Sequence, residues 1–261
     1  MKVGRNEFLN KHIGMFITTI ADTVRSKYNF GFKRNATHLK NEILILPTNS
    51  KGDPDYKFMG NYMRAKEQEK INAYIRYIQN RINELENTKE VAPLSEKDWS
   101  DFRLQEIFET EKGNQNNMSS LKDGDVPLIS AKKDNNGLKR FVTKNNKKQF
   151  DKHFLTLNND GDGGAGISYY QPFDLLLDSH VTALCPRADL NKSTLMFISQ
   201  SITKQRDKFG HGYSINNKRL KVFMIMLPVN DNHKPDYDYM DNYMKQLELK
   251  KLKTYLRYKK I

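Results

Sequence analysis

The sequence has one cysteine, more basic than acidic residues, and no long apolar run. A lone Cys185 excludes an intrachain disulfide framework and fits a reducing, cytoplasmic setting. It lies in Val-Thr-Ala-Leu-Cys-Pro, among apolar residues, which reads as a buried structural thiol and not a nucleophile. The six histidines, His12, His38, His153, His180, His211 and His233, show no paired ligand spacing, so no metal site is expected. No stretch approaches the roughly 20 apolar residues of a membrane-crossing helix. The N-terminal MKVGRNEFLNKHIGMFITTI lacks the clean apolar run and small-residue cleavage site of a signal peptide, so no membrane partner is expected. Against 44 Lys+Arg stand only 31 Asp+Glu, a net charge of +13. That excess suits a polyanion, and with the membrane option weak, nucleic acid leads.

What is present is a duplication. Shifted by 181 positions, residues 9–77 match residues 190–258 without a gap, with about 27 identities over about 69 positions. Leu46-Pro47 recurs as Leu227-Pro228, Pro54-Asp55-Tyr56 as Pro235-Asp236-Tyr237, and Asn61-Tyr62-Met63 as Asn242-Tyr243-Met244. So long a period means a duplicated domain, not a solenoid. In each copy an apolar segment stopped by proline, residues 43–47 and 222–228, predicts a buried strand. A helix follows. After Asp55 the residues Met59, Tyr62, Met63, Ile71, Tyr74, Ile75, Ile78 and Ile82 form an apolar stripe on about 30 residues, which calls for a partner helix. The second copy offers Tyr243, Met244, Leu247, Leu252 and Leu256. Such a stripe also predicts that the isolated chain self-associates.

Between the copies the pattern changes. Residues 87–96, with Pro93, read as a linker. From Trp99 onward come short strands (residues 126–129, 154–157 and 167–170), Gly/Asn/Asp turns and basic loops. The expected class is α+β: a small twisted sheet with helices, joined to long antiparallel spacer helices.

Several residues together resemble the specificity subunits of Type I restriction-modification systems. Trp99, Phe102, Leu104, Ile107 and Phe108 match the opening of that family's target-recognition domain. Pro127-Leu128-Ile129-Ser130 followed by Asn135-Asn136-Gly137, the glycine-rich stretch 159–166, Tyr169 to Phe173, and Phe209-Gly210-His211-Gly212 come in the family's order. The resemblance implies a remnant of a first recognition domain (residues 1–55), a spacer helix (56–90), a linker (91–98), a complete recognition domain (99–236) and a shortened spacer (237–261). It implies a non-catalytic reader of half a bipartite site on double-stranded DNA. Methyltransferase subunits would dock on the spacers and bring S-adenosylmethionine. A restriction or translocase subunit, which would bring ATP and Mg, and a second specificity chain are further candidate partners. About 90 residues of the family's first domain are missing from this pattern.

Reading DNA takes cations for phosphates and planar amide or guanidinium groups for base edges. Ser130, Lys132, Lys133, Asn135, Asn136, Lys139 and Arg140 supply both in one loop, and Lys204, Arg206 and Lys208 supply a second set, with His211 beside it. Rival motifs fare worse. Gly161 to Gly166 spells G-x-G-x-x-G, but a strand-like Ile167 to Pro172 follows where a dinucleotide site needs a helix. An EF-hand starting at Asn158 would end on Tyr169 where Glu is required. A nuclease drawn from Pro235-Asp236 and Glu248-Leu249-Lys250 would take its carboxylates from a helix, not a sheet. The composition also accommodates a truncated subunit without activity of its own, and a basic module that binds without sequence preference.

Overall fold

Asparagine caps organise the first part of the chain. The computed structural model describes residues 5, 7–28, 32–161, 164–210 and 212–259. The chain divides into two compact units, Met1–Asn83 and Glu84–Ile261. In the first, the Asn10 side chain accepts from the His12 and Ile13 N–H groups, both at 3.0 Å, and opens α1 (Lys11–Thr23). After a 3-10 turn at Arg25–Lys27, Asn35 caps α2 (Ala36–Lys40) in the same way. The long helix α3 (Tyr56–Leu85) follows. α1 packs its Ile13 side chain beside Gly60 of α3, where a Cβ would lie 3.4 Å from Ile13 Cγ1. Lys11 and His12 both reach Glu67, at 2.5 and 2.7 Å, and pull its carboxyl down to about 2.

Residues 43–47 form no strand, contrary to expectation. Ile43 and Ile45 are 82% and 88% exposed, and among the described residues no strand pairs with this segment. A strand needs a neighbour to satisfy its backbone and cover its side chains. The second copy has one.

The second unit runs, in chain order, β1 (Trp99–Arg103), α4 (Leu104–Ile107), β2 (Phe108–Lys112), β3 (Asp123–Ile129), β4 (Leu138–Val142) and β5 (Gln149–Phe150). Then come β6 (Phe154–Asn158), β7 (Ser168–Gln171), β8 (Leu175–Leu177), β9 (Val181–Pro186), α5 (Lys192–Thr203), α6 (Asn217–Lys221), β10 (Met224–Pro228) and α7 (Tyr237–Tyr258). β1 pairs antiparallel with β10, from Trp99 opposite Pro228 to Arg103 opposite Met224. Two four-stranded sheets have the orders β2-β9-β6-β7 and β4-β3-β8-β5. β10 is only half-buried, with Met224 and Met226 about 40% exposed and Ile225 and Leu227 inward.

The elements of the first unit recur 181 residues on: α1 as α5, the turn Arg25–Lys27 as Arg206–Lys208, α2 as α6, the start of α3 as that of α7. Even the isolated bridge Thr48–Pro54 recurs, as Val229–Pro235. The main core lies between the β2-β9-β6-β7 sheet, α5, β10 and the first turns of α7, around Phe108, Leu155, Leu184, Leu195, Ile198 and Leu227. Trp99 stacks on Phe197 and donates to Leu94 O at 3.1 Å. Of the residues expected along a helix seam, Tyr243 and Met244 pack against this core, Tyr243 edge-on to Phe197. Leu247 is exposed, and Leu252 and Leu256 are half-buried. On α3, Met59, Ile78 and Ile82 are buried, Met63, Ile71 and Ile75 half-buried, Tyr62 and Tyr74 exposed. A second core packs Ile129, Phe150, Phe154, Leu175, Val181 and Ala183 between the two four-stranded sheets. Cys185, half-buried on β9, has its thiol pushed up in pKa by burial first and then by the Glu111 charge.

Candidate nucleic-acid interface

The loop between β3 and β4 is built to hold one shape. Ile129 pairs with Leu138 at its base, and Ser130 N–H donates to Gly137 O at 2.9 Å. Asn135, Asn136 and Gly137 take φ of 52°, 51° and 78° in succession. Asn and Gly tolerate this left-handed region best, which accounts for the Asn-Asn-Gly sequence. Three side chains of the β6–β7 hairpin then clamp the loop's carbonyls. Asn158 Nδ2 donates to Lys132 O at 3.0 Å, the Tyr169 hydroxyl to Lys133 O at 2.7 Å, and Gln171 Nε2 to Asn136 O at 3.1 Å. Gln171 Nε2 also donates to Thr156 Oγ1 at 3.2 Å. The acceptor oxygens of Asn158 and Gln171 find no partner among the described residues, so both amides act here as donors.

The glycine-rich turn joins the two basic segments. A Cβ on Gly161 would lie 2.8 Å from Ala131 O, and one on Gly164 3.1 Å from the same atom. On Gly166, at φ 77°, a Cβ would come within 2.8 Å of Arg206 Cα. Backbone therefore packs on backbone at both ends of the turn, and β7 follows it as the sequence required. Tyr169 records the same convergence: burial raises its pKa first, the Asp134 charge adds to that, and Arg206 opposes it. Asp160, in the same turn, is held by His180 Nδ1 at 2.8 Å.

The sequence-predicted residues separate by role. Lys133, Asn135 and Asn136 are exposed on the clamped loop, as are Lys204, Arg206 and Lys208 across the glycine turn. Ser130 is buried. Lys132 turns its ammonium back to Leu138 O at 3.1 Å, and Arg140 is engaged with Met118 O at 3.0 Å and with Asp123. Lys139 is exposed, its Nζ 3.6 Å from Met118 Sδ. His211 lies outside the described residues. Sequence reasoning missed Asn158, Tyr169 and Gln171 as supports, because each holds a carbonyl 26 to 36 residues away. A cleft of about 470 Å³ opens beside Asn136 between β7 and α5, lined also by Tyr169, Tyr170, Lys192 and Gln200.

The nuclease motif is taken apart by the same geometry. Asp236 caps α7, accepting from Tyr239 N–H at 3.0 Å, and pairs with Lys97 at 2.8 Å. Burial raises its carboxyl, and the hydrogen bonds from Lys97 and Tyr239 outweigh that, leaving it below its usual value. Glu248 stands on the same helix, at 1.5 Å rise per residue about 18 Å away, too far to share a metal ion with it.

Residues 96–256 match the family model described as the Type I restriction modification DNA specificity domain. The chain belongs to that family. A curated relative, the specificity subunit of the Type II restriction enzyme BcgI from Heyndrickxia coagulans, is 28% identical over 243 residues, 93% of this chain and 68% of the relative. The Type I restriction-modification S subunit of M. genitalium superposes with a TM-score of 0.51 at 14% identity, over 96% of this chain and 68% of that one. The HsdS subunit of Thermoanaerobacter tengcongensis gives 0.43 at 15% identity, over 95% of this chain and 65% of that one. The matched specificity-domain segment begins just before β1 and contains both basic segments and the hairpin that holds them. Among the described residues no helix is long and apolar enough to cross a membrane, and no three His, Cys, Asp or Glu residues cluster as metal ligands would.

Proposed function

We propose that the second unit reads a short duplex sequence through the loop 130–137 and the turn 204–208. The chain then serves as the non-catalytic specificity component of a modification or restriction complex. The observation that carries this is the clamped loop, in which three buried or half-buried side chains fix the backbone while Lys133, Asn135 and Asn136 stay exposed. Asn can bond an adenine edge bidentately, and Lys133, Lys204, Arg206 and Lys208 supply charge for phosphates or guanine. A loop held before binding avoids paying ordering entropy at that moment. Methyltransferase subunits docked on α3 and α7 would bring S-adenosylmethionine, and any restriction subunit its ATP and Mg. One recognition unit predicts one half-site.

Selection from random duplexes, with the chain co-expressed with a Type I methyltransferase subunit, tests this. Enrichment of one half-site of roughly three to five base pairs is expected, the reach of a single reading element. Salt-sensitive binding with no enriched sequence would leave a non-specific basic module.

A further inference from the structure

One face of the β2-β9-β6-β7 sheet changes character at its rim. Leu155, Leu157 and Leu184 on that face belong to the main core. Thr182 of β9 stands opposite Leu157 on one side and Lys112 of β2 on the other, so the face ends in a hydroxyl and an ammonium. Ile215 and Leu220 of the segment around α6 are buried over its apolar part. At the polar rim a second cleft of about 470 Å³ opens, lined by Lys112, Asn159, Thr182, Asn217 and Lys218.

The polar groups of this cleft are set to donate. Asn159 is only 6% exposed, and the Thr182 hydroxyl donates to its Oδ1 at 2.9 Å. That bond fixes the amide, while its Nδ2 donates to no described residue. Lys112 and Lys218 are exposed, and among the described residues neither ammonium has an ion pair or a hydrogen bond. Asp160, next to Asn159 in the chain, is taken up by His180 Nδ1 at 2.8 Å. A buried amide donor and two unpaired ammonium groups around one cleft suit an anion, and Lys with Asn is a combination that meets backbone phosphates. The duplication isolates this chemistry. Asn35 and Asn216 cap equivalent helices, yet the next two residues are Ala36-Thr37 in one and Asn217-Lys218 in the other. Capping therefore does not call for Asn217 or Lys218, which line the same cleft as Lys112 and Asn159.

Backbone contacts join the cleft to the reading surface. Asn159 leads into Gly161, whose backbone packs on Ala131 O of the clamped loop. Ile215, downstream of the basic turn Arg206–Lys208, donates its N–H to Asn159 O at 2.7 Å. One turn thus ties the cleft to both basic segments. We propose that this cleft holds one backbone phosphate of the duplex through Lys112, Lys218 and the Asn159 amide, and so sets the register of the reading loop on DNA. The inference rests on the DNA-reading assignment of the second unit.

Fluorescence anisotropy of the full chain on a selected and a scrambled duplex, at several salt concentrations, tests it. Lys218→Ala should weaken both duplexes by the same factor and lower the slope of log affinity against log salt by about 1. Lys221→Ala removes the same charge from the same helix but outside the cleft, and should leave the slope unchanged. All three lysines are exposed, so the variants should melt like the parent. Methylphosphonate placed at one phosphate at a time should cost affinity at a position outside the enriched base pairs, and both Lys112→Ala and Lys218→Ala should abolish the cost at that position. If no sequence is enriched, the reading assignment fails, and the slopes of Lys218→Ala and Lys221→Ala still decide whether the cleft holds a phosphate. The proposal is overturned by an unchanged slope in Lys218→Ala, by an equal fall in Lys221→Ala, or by the lack of a phosphate position to which both cleft variants become blind.

Discussion

Replacing Gln171 by Leu should blunt the reading of DNA without touching it. Gln171 is fully buried, and its Nε2 makes both the bond to Asn136 O and the bond to Thr156 Oγ1. Leu fills a similar volume but donates nothing. Thr156 Oγ1 keeps its own bond to Tyr169 O at 3.3 Å, so what is lost is the two bonds that Nε2 donates, about 0.5–1.5 kcal/mol each. Removing the unpartnered Oε1 returns part of it, and a net loss of about 1–2 kcal/mol is expected. The specific complex can lose no more than the anchoring energy removed, which at 25 °C is about fivefold to thirtyfold in affinity. Binding to scrambled DNA should hardly change, because the clamp contributes no phosphate contact. The slope of log affinity against log salt should hold too. Fluorescence anisotropy on a selected and a scrambled duplex at several salt concentrations, beside urea unfolding, measures all three quantities. Unchanged specific affinity, or equal losses on both duplexes, would refute the idea that the hairpin shapes the reading loop.

Other changes have their own signatures. Lys133→Ala and Arg206→Ala, if each side chain meets one phosphate, should lower the salt slope by about 1 apiece; an unchanged slope would remove that residue from the interface. Gly161→Ala puts a Cβ 2.8 Å from Ala131 O at a φ of 107° and should cost about 1–3 kcal/mol in urea unfolding, whereas Gly52→Ala, with open space around it, should cost less. His180 is raised above its ordinary 6.5, chiefly by its hydrogen bond to Asp160 and against some desolvation. A raised folded value means that its contribution is full below 6.5 and fades as pH rises through the folded pKa. Both side chains are partly exposed, so the effect on stability is small. A ring titration by NMR should show the raised midpoint, and Asp160→Asn should return it toward 6.5; a midpoint below 6.5 would contradict the pairing.

The duplication is the most legible feature, since about 27 shared residues preserve the same caps and helix starts in both copies. The start of α3 is readable from the recurring Pro-Asp-Tyr, whereas the helix expected to run to residue 90 stops at Leu85; the strand β7 after the glycines is readable from its strand-like run. The strand expected at residues 43–47 is absent because its apolar pattern is only half of a strand; the other half is a neighbour, which β1 supplies to β10 alone. The sequence pattern does not single out α5 or β9, although α5 is the helix on which the recognition core packs. The clamp is invisible for a different reason. Asn158, Tyr169 and Gln171 lie 26 to 36 residues from the carbonyls they hold, and hydrogen bonds at that separation leave no periodicity in the sequence. Composition places Lys132, Arg140 and Ser130 with the readers, but their polar atoms or burial tie them to the fold.

Direct readout by the β3–β4 loop is tested most sharply by Asn136→Asp followed by a second selection from random duplexes. Asp tolerates the left-handed φ of 51° at this position, so the loop should survive. The side chain loses its donor, however, and can only accept. The half-site should be unchanged except at one or two positions, where preference moves from adenine toward cytosine, whose amino group an acceptor can read. An identical selected sequence before and after the change would mean that Asn136 does not read bases.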